Sequence, residues 1–294
     1  MNDGSSLVAA RVEREALKVG GPDAITYLQG QLSQDVAGLA LGRSAWSFLL
    51  QPQGKVDAWV RVTRTGDDEV VLDVETGFGE AVMSRLERFK LRTKFAIETL
   101  DWACVAVRGA GAESLEPSQG ATIVAAAGWP GTEGVDLLGP ESALTVPPLA
   151  DPVESEAFEA LRIMSGVPRM GAELTEATIP AEMGQWVIDA SVSFTKGCYT
   201  GQELVARIDS RGGNVPRRIV GLVVEGDADA VPEPGAVVRL DNTDAGTVTS
   251  AAWSARRGQP VALALVKRAV DVPASGVISR GERSHPVLLM PTPM

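Results

Sequence analysis

The octet Val56-Asp57-Ala58-Trp59-Val60-Arg61-Val62-Thr63 alternates apolar and polar side chains with a period of two. That is the mark of a strand with one buried face. Residues 44–50 form a second apolar run, separated from the octet by the turn Gln51-Pro52-Gln53-Gly54. Thr65-Gly66-Asp67-Asp68 then leads into an apolar run at 70–74, which completes a hairpin. Next comes a helical pattern with Val82, Leu86 and Phe89 on one stripe, followed by a strand at 95–100. Upstream, a short strand at 16–19 precedes Gly20-Gly21-Pro22-Asp23 and a helix carrying Ile25, Leu28, Leu32 and Val36. Strands in antiparallel hairpins interleaved with helices define an α+β unit.

Further along, residues 109–150 are rich in Gly, Pro and Ser, with short strands expected at 122–126 and 135–138. A helix over about 153–164 presents Phe158, Leu161 and Met164 on one side, and its acidic first turn suits the helix dipole. From Arg217 onward, short alternating segments are split by Gly, Pro and Asp. This tail predicts an all-β barrel or sandwich. Gly77-x-Gly79 has Val82 where a dinucleotide fingerprint needs its third glycine, and a hairpin precedes it, so it is read as a turn.

The chain has 294 residues with 27 Lys plus Arg against 38 Asp plus Glu, a net charge of −11. Such a balance excludes broad binding to phosphate backbones. The acidity is concentrated: residues 101–190 hold 3 basic and 14 acidic groups, against 12 and 14 in 1–100 and 12 and 10 in 191–294. Two basic clusters stand out, Arg85, Arg88, Lys90, Arg92 and Lys94, and Lys196, Arg207, Arg211, Arg217 and Arg218. Either is a solvated face or a focused site for a small anion. No apolar run approaches the ~20 residues of a membrane span. The acidic N-terminal stretch, with Asp3, Glu13 and Glu15, resembles neither a signal nor a transit peptide, which predicts a cytoplasmic protein. Cys104 and Cys198 are too isolated for a disulfide framework or a zinc site. A single histidine, His285, excludes a His-rich metal site, and no Gly-x-Ser-x-Gly elbow supports a hydrolase triad.

The stretch Lys196-Gly197-Cys198-Tyr199-Thr200-Gly201-Gln202-Glu203 bears the chemistry. Thr200 and Glu203 have the spacing of a capping box, so a short helix is expected to begin at Gly201. Cys198 would then lie near the positive end of that helix, with Lys196 on the same side of an extended segment. Both effects favour a thiolate, the nucleophilic and metal-binding form. A buried, inert cysteine is the alternative.

These residues also resemble the signature of the YgfZ family of folate-binding proteins, relatives of the glycine-cleavage T-protein. Supporting segments run from Gly21-Pro22-Asp23-Ala24 and Tyr27-Leu28-Gln29-Gly30-Gln31 through Arg88-Phe89-Lys90-Leu91-Arg92 to Gly166-Val167-Pro168 and Arg217-Arg218-Ile219. The resemblance implies a three-lobed ring with two α+β lobes and a C-terminal all-β barrel around a folate channel. The expected lobes are 1–45 with 110–210, an inserted ferredoxin-like lobe at 46–109, and a barrel at 211–294. It further implies tetrahydrofolate or another reduced folate as cofactor, and iron–sulfur enzymes or their assembly proteins as partners; the charge balance and the short apolar runs add the expectation of no stable nucleic-acid binding and no membrane. Cys198 and Lys196 take the catalytic role by this resemblance, with Asp57, Lys90, Arg92, Tyr199, Gln202 and Arg207 as folate contacts. A T-protein has an acidic pair after the glycine turn where this chain has Asp57 alone, and a pterin-gripping carboxylate where it has Met164. A folate-dependent aminomethyl or methyl transferase and a non-catalytic adaptor are the competing readings.

Overall fold

The computed structural model describes residues 7–115, 120–280 and 283–294. Two five-stranded sheets and a closed barrel account for its strands. The first sheet has the order β10-β1-β7-β9-β8, built from β1 (Leu7–Val12), β7 (Trp102–Arg108), β8 (Ile123–Ala126), β9 (Gly134–Pro140) and β10 (Ala150–Pro152). The second has the order β3-β4-β5-β2-β6, from β2 (Arg14–Gly20), β3 (Ser44–Leu50), β4 (Val56–Gly66), β5 (Glu69–Glu75) and β6 (Ala96–Leu100). Helices α1 (Ala24–Gln31) and α2 (Gly79–Arg88) bury Leu28, Val82 and Leu86 in the core of this second sheet.

The sheets divide the chain differently from the expected lobes. A boundary at 45/46 would cut β3 inside its hairpin with β4, and β7 pairs with β1 although 109/110 was the expected junction. The physical reason is a shared ribbon. β1 and β2 are separated by Glu13 alone, β6 and β7 by Asp101 alone. The pair β1–β7 continues as β2–β6, so one antiparallel ribbon passes from sheet to sheet. The expected 1–45 segment also includes residues 1–6, and 110–210 includes 116–119, which lie outside the described residues.

Helix α3 (Ser155–Met164) follows β10 and places Phe158 against the first sheet, as the apolar stripe predicts. Its other side meets the barrel, where Ser254 Oγ lies 3.5 Å from Met164 Sδ. After α4 (Gln185–Ser191) and α5 (Gln202–Ser210), the barrel closes in the order β11-β14-β13-β12-β15-β16. Its strands are β11 (Arg217–Val224), β12 (Val237–Leu240), β13 (Thr243–Ser254), β14 (Gln259–Lys267), β15 (Ala274–Arg280) and β16 (Arg283–Met290). Closure leaves no open sheet edge. Gly77 and Gly79, the false fingerprint, donate their N–H groups to the Glu15 carboxylate at 3.1 and 2.5 Å, which fills the N-terminus of α2 from β2.

Strand β4 is buried on both faces, against the expectation of one. Trp59 and Arg61 are 2% and 1% exposed, and Thr63 is equally hidden. The alternation was real, but its polar face looks onto the first sheet rather than onto water. Arg61 donates to Asp73 Oδ2 and Oδ1 at 3.0 Å each within its own sheet. Across the gap it donates to Asp136 Oδ2 on β9 at 2.6 Å. Arg108 of β7 donates to the other Asp136 oxygen at 2.8 Å, and Arg14 to Asp73. Three guanidiniums and two carboxylates thereby tie the two sheets together. Burial alone would raise the Asp136 pKa, but Arg108 and Arg61 overcome it and hold the carboxyl well below its ordinary range.

Candidate functional site

Beside this network the sheets enclose a cavity of about 1230 Å³. The ribbon contributes Arg11, Arg14 and Trp102, the second sheet Trp46, Trp59 and Glu75, and α3 with the following loop Glu159, Arg162 and Arg169. Trp129 and Phe158 line it too, so four of the six tryptophans in the chain face one space. Trp46 stacks on Trp59 with centroids 4.1 Å apart, and the guanidiniums of Arg14 and Arg61 stand 5.3 and 5.2 Å from the Trp46 ring centroid. Arg108 lies 4.0 Å from the Trp129 centroid, its Nε buried without a hydrogen-bond partner. Flat apolar walls with a few charged groups are the surroundings a planar heteroaromatic ligand needs. Glu75 Oε2 accepts from Met170 N at 2.9 Å, and burial raises its pKa against the pull of Arg14.

Cys198 stands elsewhere, exposed in the loop before α5. Two glycines hold that loop against the β3–β4 turn. Gly201 has φ +81°, and a Cβ there would come within 2.5 Å of the Gln51 carbonyl oxygen. Gly54, also at φ +81°, would bring a Cβ within 2.9 Å of the Gly201 carbonyl oxygen. Only glycine allows this approach at such a backbone angle. The expected capping box does not form: α5 starts at Gln202, and left-handed Gly201 is its N-cap with no side-chain cap bond. Gln202 Oε1 instead accepts from Tyr199 N at 3.2 Å.

Lys196 has a different task from the one expected. Its Nζ donates to the carbonyls of Gln29 and Leu32 at 2.6 Å each and Gln34 at 2.9 Å. All three ammonium protons are used, and the loop is pinned to the end of α1, which terminates in unpaired carbonyls. Burial brings Lys196 down to about 8, with Asp35 opposing, so it remains an ammonium at neutral pH. Its charge is thus committed to backbone carbonyls at and just beyond the end of α1. Tyr199 is buried beneath, its ring centroid 5.1 Å from Nζ, and burial pushes its hydroxyl up to about 12.

None of the other expected folate contacts lines the inter-sheet cavity. Asp57 is bound by Arg85 Nε at 3.2 Å, which makes it a paired rather than a free carboxylate. Lys90 stands 4.7 Å from the Phe95 ring centroid, and Arg92 and Arg207 point into solvent. Met164 is buried against Ser254, so the loss of a carboxylate there leaves no hole, and Glu75 and Glu159 supply carboxylates to the cavity instead. The cavity residues were legible only in part. The recurrence of Trp and Arg at Trp59 and Arg61 was a signal; the pairing of Arg61 with Asp136, 75 positions away, had none. Cys104 is the opposite of Cys198: burial, and then Asp136, pushes its thiol up to about 12.

Comparison with known proteins agrees with this architecture. Residues 217–294 match the family model described as the glycine cleavage T-protein C-terminal barrel domain. Aminomethyltransferase T of Bartonella henselae superposes with a TM-score of 0.77 at 18% identity, covering 99% of this chain and 86% of that one. The iron-sulfur cluster assembly factor IBA57 homolog, mitochondrial, of Pyricularia oryzae is 31% identical over 248 residues, 81% of this chain and 61% of that protein. The tRNA-modifying protein YgfZ of Pectobacterium carotovorum is 31% identical over 235 residues, which are 73% of this chain and 69% of that relative. On that coverage, and with the T-protein architecture throughout, the chain belongs to the YgfZ family, related to the glycine-cleavage T-protein.

Proposed function

We propose that this protein is a folate-binding auxiliary factor for iron–sulfur enzymes, with a reduced folate in the inter-sheet cavity and Cys198 offered to a partner protein. The observation that carries this reading is the separation of the two features. An aromatic cavity sits between the sheets, and an exposed thiol sits on a loop locked to α1. The names of relatives, a tRNA-modifying protein and an iron–sulfur cluster assembly factor, support the same context. Iron–sulfur clusters commonly take four protein ligands, so one cysteine acts only together with a partner.

The cavity has room for such a ligand. Its volume exceeds the ~300–1,000 Å³ of ordinary small-molecule pockets. Trp46 and Trp59 would face the flat ring system, Glu75 would accept from its N–H groups, and Arg11 and Arg169 would meet the glutamyl carboxylates, while Glu159 is held on both oxygens by Arg162. A bound reduced folate supplies a carrier for one-carbon units. Cys198 lies outside the cavity lining, which disfavours direct attack of the thiol on a ligand held there. The transferase reading needs a free carboxylate at Asp57, and Arg85 occupies it. Among the described residues no helix is long and apolar enough to cross a membrane.

Titration with tetrahydrofolate, followed by tryptophan fluorescence, tests the cavity. Saturable quenching is expected, weakened at least tenfold in Glu75→Gln and unchanged in Arg92→Ala. Quenching that vanishes in Arg92→Ala but persists in Glu75→Gln would move the ligand out of the cavity.

A further inference from the structure

The segment after α2 is a tip that the proposed folate site does not use. Leu91 is 92% exposed and holds a left-handed backbone at φ +45°, which costs energy for a bulky side chain. Phe89 beside it is 41% exposed, its ring centroid 4.1 Å from the Arg85 guanidinium and 5.7 Å from that of Arg88. The tip is rigid. Lys90 N donates to Glu87 O at 3.1 Å, Thr93 N to Lys90 O at 2.9 Å, and Lys94 N to Asp23 Oδ2 at 2.7 Å. Arg88, Arg92 and Lys94 are exposed around Leu91 with Lys90 half-buried, and Glu87 is the one acid in the run 85–94.

The thiol loop is close by. Lys94 is bonded to Asp23 at the start of α1, and Lys196 to the carbonyls at its end. The two anchors are thus separated by one eight-residue helix, ~12 Å long at 1.5 Å per residue. Arg85 joins them further, reaching the Leu50 carbonyl at 3.4 Å while Gly201 packs on the same Leu50. A protein interface of ordinary size, about 800 Å² per partner, is wider than this separation of the anchors.

We infer that residues 88–94 are the docking surface for a partner protein whose contact face is acidic with an apolar recess for Leu91, seated so that it also meets Cys198. Charge complementarity selects this occupant. The tip concentrates cations on a chain of net charge −11, so an extended polyanion or an anionic membrane would be repelled beyond the tip. An apolar anchor ringed by cations is the pattern of an interface hot spot with a steering rim. The inference rests on the reading of Cys198 as a thiol offered to a partner.

Leu91→Asn tests it, because asparagine tolerates the left-handed region and removes the anchor without threatening the fold. The charge reversal Arg88→Glu with Arg92→Glu is the second variant. In a deletion strain, each is expected to cut the activity of the dependent iron–sulfur enzyme at least tenfold. Tetrahydrofolate titration and the alkylation rate of Cys198 should remain unchanged in the purified full chain. Activity within twofold of wild type in both variants overturns the docking surface. So does a gel shift with bulk tRNA, or sedimentation with phosphatidylglycerol vesicles, that Leu91→Asn abolishes. A wild-type dimer that becomes monomeric in the variant overturns it too, in favour of a second copy. Cys198→Ala separates the two claims: its loss of activity while Leu91→Asn and the charge reversal both stay active sinks the surface alone, and its full activity sinks the thiol reading and with it the claim that the docked partner meets Cys198.

Discussion

Replacing Asp136 by alanine removes the carboxylate that joins the two sheets. Asp136 accepts from Arg61 at 2.6 Å and from Arg108 at 2.8 Å, and its side chain is 7% exposed against 1% and 3% for the two guanidiniums. After the substitution Asp73 still pairs with Arg14 and Arg61, but Arg108 loses its carboxylate and its Nη1 keeps only the Val107 and Val135 carbonyls at 3.0 Å. Breaking a buried pair from one side costs about 3–5 kcal/mol, because it leaves uncompensated charge. That is a large share of the ~5–15 kcal/mol by which a domain is stable. The melting temperature should fall by on the order of 10 °C. The loss should also depend on pH in a defined direction. The native Asp136 pKa lies below the unfolded value of about 3.9, so its contribution is complete above about pH 5 and disappears as pH falls through the unfolded and then the native value. Urea denaturation of wild type and Asp136→Ala from pH 7 to pH 3 measures both effects, and the gap between them should narrow below pH 4. A gap under about 1 kcal/mol at pH 7, or one that stays constant down to pH 3, would refute the clamp.

Four further outcomes follow from the loop geometry and the burial of the two cysteines. Gly201→Ala forces a Cβ within 2.5 Å of the Gln51 carbonyl oxygen at a positive φ, and should cost about 1–3 kcal/mol in thermal unfolding. Lys196→Met strands the carbonyls of Gln29, Leu32 and Gln34, and hydrogen exchange at the α1 end and the 196–201 loop should quicken roughly tenfold or more. Lys196→Arg should not restore protection, because a planar guanidinium cannot reproduce three converging bonds. Iodoacetamide on the native protein should label Cys198, and label Cys104 only after unfolding, as peptide mass spectrometry can show.

Much of the fold was legible because it is local. The period-two run at 56–63, its hairpin with 44–50 and the glycine-punctuated tail all depend on neighbours in sequence. The error at β4 arose from the same rule. Period two says that one face differs from the other, not that the polar face meets water, and here Arg61 finds its partner on another sheet. At the motif, Thr200 and Glu203 had the right spacing for a capping box, but close packing on Leu50 and Gln51 put Gly201 in the cap position instead. The bonds of Lys196 were not legible, because the carbonyls it satisfies lie at and just beyond the end of a helix more than 160 positions upstream. Little of the cavity was legible beyond Trp59 and Arg61, because its aromatic walls are assembled from Trp46, Trp59, Trp102 and Trp129, which come from four separate segments.

In the proposed function, folate and thiol occupy separate sites and activity depends on both. The most direct test is a Cys198→Ala chain, measured for tetrahydrofolate affinity in solution and for its ability to restore a dependent iron–sulfur enzyme in a deletion strain. Unchanged affinity with lost restoration is the predicted result; full restoration, or an affinity that falls with the thiol, would contradict it.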